Sequence, residues 1–121
     1  MSKILVIEDD KKLRELMCET LTEHEYEVRS ARNGAMGLQL LEEASVDLVI
    51  SDIFMPEKDG LEVIREIRTV SPDMKIIAVS GGGRLGKETY LMAAKRMGAN
   101  HVLGKPFNLQ EFIDLVREAL S

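Results

Sequence analysis

The sequence predicts an α/β domain: a five-stranded parallel sheet, doubly wound, with five helices on its two faces. Three observations predict it. Apolar runs and helical patterns alternate five times along the chain. Strands that alternate with helices pair in parallel through right-handed crossovers. Three of the runs, Lys3–Glu8, Val46–Ser51 and Lys75–Ser80, are near-continuous aliphatic segments, as expected where helices cover both sheet faces.

Each element follows in order. Lys3–Glu8 (KILVIE) reads as a buried strand. Leu13, Leu16, Met17 and Leu21 then recur at helical spacing. Tyr26–Ala31 alternates and is the most polar strand, which assigns it to an edge. Asn33-Gly34 is a turn signal, and Met36, Leu40 and Ala44 follow at helical spacing. Val46–Ser51 is the third strand. Leu61, Ile64 and Ile67 mark the third helix, closed by Ser71-Pro72. Lys75–Ser80 is the fourth strand, and Gly81–Gly86 a glycine-rich loop before a helix with Tyr90, Ala94 and Met97. Asn100–Leu103 is the fifth strand. The last helix carries Leu109, Phe112, Ile113, Val116 and Leu120 on one face, with Asn108 and Glu111 set as a capping box. A strand order of 2-1-3-4-5 fits this pattern, and such sheets bind ligands beyond the carboxyl ends of their strands.

The 121 residues suffice for one hydrophobic core, so a single domain over residues 1–121 is expected, with no output domain in this chain. A hydrophobic fraction of 45% with 31% charged residues describes a soluble globular chain. The longest apolar run, Tyr90 to Ala94, is far short of the roughly 18–20 residues a membrane span needs, which excludes a transmembrane helix; no membrane partner is expected. The N-terminus lacks a signal-peptide pattern, and Cys18 is the only cysteine, so neither a disulfide framework nor a cysteine zinc site is expected. These features point to the cytoplasm. A net charge of −5 argues against direct nucleic-acid contact.

The chemistry sits at the predicted strand ends. The first strand runs into Glu8-Asp9-Asp10, the third into Ser51-Asp52, the fourth into Ser80 and the fifth into Gly104-Lys105-Pro106. The fold brings these groups to one rim. Unit charges about 4 Å apart repel by roughly 4 kcal/mol at an effective dielectric near 20. Some carboxylates must therefore stay protonated, or a cation must sit among them. Hard oxygen ligands on an open rim suit Mg²⁺, and the lack of His or Cys there argues against zinc. For Asp10, capping of the following helix is an equal reading.

The segment Asp52-Ile53-Phe54-Met55-Pro56-Glu57-Lys58-Asp59-Gly60, with Glu8-Asp9-Asp10, Ser80 and Lys105-Pro106-Phe107, closely resembles the receiver domain of bacterial two-component response regulators. The resemblance runs from Lys3 to Leu120. It implies the flavodoxin-like receiver fold and a phosphorylatable switch, not an enzyme acting on other molecules. Asp52 matches the phosphoacceptor, which takes a phosphoryl group from the phosphohistidine of a sensor histidine kinase or a histidine phosphotransfer protein. Asp9, Asp52 and the backbone carbonyl of Phe54 match ligands of Mg²⁺, with Glu8 acting through water. Ser80 matches the switch hydroxyl and Lys105 the lysine that pairs with the phosphoryl group. The resemblance further implies a cis Lys105-Pro106 peptide, a downstream output domain or target protein, and a phosphorylation-dependent homodimer. The chemistry agrees: carboxylates serve as phosphoryl acceptors, and phosphoryl transfer needs mainly positioning and charge stabilisation. Pro56 should stiffen the loop that presents Asp52, and Gly60 fits a tight turn before the third helix.

The chain departs from that pattern at three positions. Val102 stands where the family commonly has an aromatic switch residue. Gly82, two after Ser80, and Phe54, two after Asp52, occupy the positions that tune dephosphorylation. His24, His101 and Cys18 read as ordinary residues. The competing reading is a nucleotide-binding loop over Gly81–Lys87, which approaches G-x-x-x-x-G-K-[ST] but has Glu88 where the hydroxyl belongs. A flavin-binding module would need its phosphate loop after the first strand, where Glu8-Asp9-Asp10 stands. A phosphatase of the Asp-x-Asp type would need an acid at Phe54.

Overall fold

The computed structural model describes residues 1–53, 60–81 and 87–121, giving the backbone alone for residues 60 and 87–91. Its elements alternate as β1 (Lys3–Ile7), α1 (Lys11–Glu23), β2 (Glu27–Ala31), α2 (Gly34–Glu43), β3 (Leu48–Asp52), α3 (Gly60–Val70), β4 (Lys75–Ser80), α4 (Lys87–Met97), β5 (His101–Gly104) and α5 (Leu109–Leu120). The strands form one sheet in the order β2-β1-β3-β4-β5, every pair parallel. This is the predicted order. The polar strand β2 is an edge, and its exposed Glu27, Arg29 and Ser30 need no helix cover.

Alternation along each strand divides the core in two. Val6, Ile50, Val79 and Leu103 face α1 and α5, where Met17, Leu21, Phe112 and Val116 fill the space. Leu5, Ile7, Val49, Ile76 and Ala78 face α2, α3 and α4, against Ile64, Ile67 and Ala94. The central strand β3 is buried along its whole length, as an aliphatic run covered on both faces must be.

Several boundaries differ from the periodicity. β3 starts at Leu48; just before it, the Asp47 N–H donates to Lys3 O at 2.7 Å while the Lys3 N–H is taken by the Asp47 carboxylate, at 2.8 Å, and not by a backbone carbonyl. It runs one residue further, to Asp52, which lies opposite Val79. Asn33 is the N-cap of α2, its side chain accepting from Met36 N at 2.9 Å, so the turn signal marks a helix start. Gly60 is the first residue of α3 and not a turn before it. Asn108 caps α5 as expected, accepting from Glu111 N at 2.7 Å.

The C-terminal end of α4 is fixed to α3. Gly98 closes the helix at φ +117°, a conformation that glycine adopts without a Cβ clash. Arg68 donates to Gly98 O at 3.0 Å and to Asn100 Oδ1 at 2.8 Å.

Candidate functional site

Glu8, Asp9, Asp52 and Lys105 meet at the carboxyl ends of β1, β3 and β5. The central strands β1 and β3 are staggered so that Ile7 lies opposite Ser51, which places Glu8 beside Asp52. Lys105 follows β5, whose Gly104 lies opposite Ser80, and its backbone N–H donates to Ser80 O at 2.8 Å. The Lys105–Pro106 peptide is cis, as the resemblance implied. A shallow cavity of about 460 Å³ opens here, lined by Glu8, Asp9, Asp10, Asp52, Gly81, Lys105 and Pro106.

The electrostatics are tightly bound together. Glu8 and Asp52 are 1% and 4% exposed. Carboxylate oxygens of Glu8, Asp9 and Asp52 all lie within 4.8 Å of one another. The Lys105 ammonium sits between the two buried acids, 2.9 Å from Glu8 Oε1 and 3.3 Å from Asp52 Oδ2. Burial and then the Asp52 charge push the Glu8 carboxyl up to about 7, although Lys105 and the Asp10 backbone N–H pull the other way. Burial alone would lower the Lys105 ammonium, but Glu8 and Asp52 outweigh it and hold it above the ordinary lysine value.

Asp10 does not join this cluster. Its side chain caps α1, accepting from Leu13 N at 3.2 Å, and its backbone N–H donates to Glu8 Oε2 at 3.1 Å. The capping reading therefore holds for Asp10. Ser80, the last residue of β4, is fully buried at 0% exposure, and its hydroxyl makes no hydrogen bond among the described residues. Val102 lies opposite Ala78 and packs on the core under α3 and α4. Phe54 with its carbonyl, Met55, Pro56 and Gly82 through Gly86 lie outside the described residues.

Two contributors escaped sequence reasoning. Gly81 lies under the Lys105 side chain, and a Cβ at that position would stand 2.7 Å from Lys105 Cβ and 3.0 Å from its Cδ. The lysine reaches the acids across a backbone that has no side chain. The glycine run from Gly81 was the available signal, read there as a flexible or nucleotide-binding loop and not as room for Lys105. Arg14 is the second. Its Nη1 donates to Glu8 O at 2.9 Å and approaches Asp9 O at 3.5 Å.

The comparisons with known proteins agree with this geometry. The family model described as "Response regulator receiver domain" matches residues 4–117. The chain belongs to the response regulator receiver domain family. A receiver domain protein from Clostridium thermocellum superposes on this one with a TM-score of 0.90 at 31% identity, covering 99% of this chain and 94% of that one. The response regulator TrrA of Thermotoga maritima, solved in complex with Mg²⁺ and BeF, matches with a TM-score of 0.86 and 36% identity over 99% of this chain and all of that one. Among curated relatives, the regulatory protein VirG of Agrobacterium tumefaciens is 35% identical over 99% of this chain and 44% of its own length. The DNA-binding transcriptional regulator NtrC of Azospirillum brasilense is 36% identical over 98% of this chain and 24% of its own length. The receiver domain thus spans less than half the length of these curated relatives. The nucleotide-loop reading of Gly81–Lys87 is not supported: the receiver family accounts for nearly the whole chain, and the acidic cluster fits its phosphorylation site. Among the described residues no helix is long and apolar enough to cross a membrane.

Proposed function

We propose that Asp52 is the phosphoacceptor of this receiver domain. The observation that carries the reading is the convergence on one buried carboxylate. Asp52 ends the central strand with a lysine ammonium at 3.3 Å and two further carboxylates within 4.8 Å. In the reaction, an Asp52 carboxylate oxygen attacks the phosphorus of a donor phosphohistidine. The P–N bond breaks, its electron pair stays on the imidazole nitrogen, which takes a proton, and an acyl phosphate forms at Asp52.

The donor set fits Mg²⁺. It is all carboxylate oxygen, partly buried, and carries more negative charge than one ammonium offsets. Asp9 and Asp52 would hold the ion directly, Glu8 through water, and Phe54 by its carbonyl. When bound, Mg²⁺ supplies positive charge against the phosphoryl oxygens. Lys105 already contacts the reacting carboxylate, and its ammonium would stay with the oxygens transferred there. The Ser80 hydroxyl is the donor that would turn to the phosphoryl group. Val102 supplies no large rotamer swing, because it is short and β-branched, and Phe54 and Gly82 would tune how long the acyl phosphate lasts.

The remaining assignments follow from this one. Residues 1–121 act as one receiver module in the cytoplasm. Its donor is a sensor histidine kinase or a histidine phosphotransfer protein, and its readout is an output domain, a target protein or a phosphorylation-dependent homodimer. It catalyses only its own phosphorylation and dephosphorylation. Incubation with Mg²⁺ and acetyl phosphate, followed by intact mass, tests the reading. Wild type should gain one phosphoryl group and Asp52→Asn none. An equal adduct on Asp52→Asn would remove Asp52 from the centre of the mechanism.

A further inference from the structure

The first turn of α1 is built against the usual preference of helices. Helix N-termini favour acidic side chains, since the aligned peptide dipoles leave positive charge there. Here the first turn has no acid and reads Lys11-Lys12-Leu13-Arg14. Lys11 is exposed and lies 4.0 Å from Glu15. Arg14 differs. It is half-buried, and its guanidinium turns back toward the helix start to donate to Glu8 O at 2.9 Å, with Asp9 O at 3.5 Å.

We infer that Arg14 is a positioning residue for cation binding at the acidic cluster, acting through the Glu8–Asp9 peptide. The inference rests on the Mg²⁺ reading above. Glu8 is anchored on the strand side, where its N–H donates to Ala31 O at 3.0 Å. Asp10 is anchored on the helix side, capping Leu13 N and accepting from Arg14 N through its carbonyl at 2.9 Å. Asp9 lies between them, exposed, with its carboxylate in the cavity wall. A planar trans peptide carries its C=O and N–H in opposite directions. Once Arg14 holds Glu8 O, the plane of the Glu8–Asp9 peptide is set, and with it the direction in which the Asp9 side chain leaves the backbone. Partners that orient metal ligands in this way are worth about 10- to 100-fold in metal affinity where they have been removed.

Orientation and bare charge predict opposite signs. Arg14 is a cation near the cluster, so by Coulomb's law alone its removal should tighten Mg²⁺ binding. If it acts by holding the peptide, its removal should weaken binding. Calorimetric titration of the 121-residue chain with Mg²⁺ distinguishes the two. Arg14→Met is expected to weaken Mg²⁺ binding about tenfold. Arg14→Lys keeps the charge but loses the planar fork and should remain several-fold weaker than wild type. The loss should persist at high salt, where a charge effect would be screened. In metal-free protein, the Asp9 and Asp10 amide resonances should shift and exchange faster in Arg14→Met. Unchanged or tighter binding in Arg14→Met overturns the inference, as does wild-type affinity in Arg14→Lys should the Met variant fail to fold. A wild-type chain that binds no Mg²⁺ overturns the metal reading itself. A wild type that binds while Arg14→Met binds equally well overturns only the role of Arg14.

Discussion

Glu8→Gln should stabilise the metal-free protein at alkaline pH and destabilise it slightly at acid pH. Glu8 is 1% exposed, and its carboxyl is pushed from 4.5 to about 7, first by burial and then by Asp52. The folded protein therefore holds a proton that the unfolded chain releases between those two values. Stability from this group is fully present below 4.5 and falls as pH rises through about 7. At about 1.4 kcal/mol per pH unit, an ionised Glu8 costs the fold about 3 kcal/mol. Glutamine removes that cost and keeps an oxygen for Lys105, but cannot serve Lys105 and the Asp10 N–H equally well. Losing one such hydrogen bond subtracts about 1 kcal/mol. The net gain of about 2 kcal/mol corresponds to a melting temperature about 8 °C higher for a chain of this size. Near pH 3.5, below the unfolded value of 4.5, Glu8 is protonated in both states and the order should reverse by about 4 °C. The chain has no tryptophan, so melts are followed by far-ultraviolet circular dichroism with chelator present. Saturating Mg²⁺ should favour wild type at alkaline pH, because the ion binds the ionised carboxylates. A melting difference that does not change with pH, or that widens as pH falls, would refute the burial argument.

Gly81→Ala should slow phosphorylation by acetyl phosphate while leaving Mg²⁺ affinity near wild type, because the new Cβ meets Lys105 at 2.7 Å and moves the ammonium, not the ligands. Unchanged labelling rates would show that Lys105 can relax around it. Asp10→Ala should lower the melting temperature by about 4 °C through loss of the α1 cap, worth about 1 kcal/mol. Amide resonances compared with and without beryllofluoride should move more at Ser80, Gly81 and Lys87–Met97 than at His101–Gly104. The reverse pattern would make β5 the relay despite Val102.

The architecture was legible because a parallel sheet buried on both faces demands aliphatic runs, and β1, β3 and β4 supply them. The site was legible because Glu8, Asp9 and Lys105 each follow a strand and Asp52 ends one, so the topology alone brings them together. What the sequence hid was reach. Periodicity marks which face a residue occupies but not where a ladder ends, hence the shifts at Asp47 and Asp52. Asn33-Gly34 serves turns and helix caps equally, and the choice depended on Met36 N being in range. The contact of Arg14 with the Glu8 carbonyl and the passage of Lys105 over Gly81 are meetings of long side chains with backbone. No spacing rule announces them.

The account stands on one covalent bond, and borohydride reduction locates it. An acyl phosphate is reduced to an alcohol, so an aspartyl phosphate becomes homoserine, whereas phosphoserine, phosphothreonine and a free carboxylate do not. Wild type treated with acetyl phosphate and Mg²⁺, then with borohydride, should yield homoserine at position 52 on peptide sequencing by mass spectrometry, and nowhere else. Homoserine at position 9, or a phosphorylated protein with aspartate intact at position 52, would contradict the central claim.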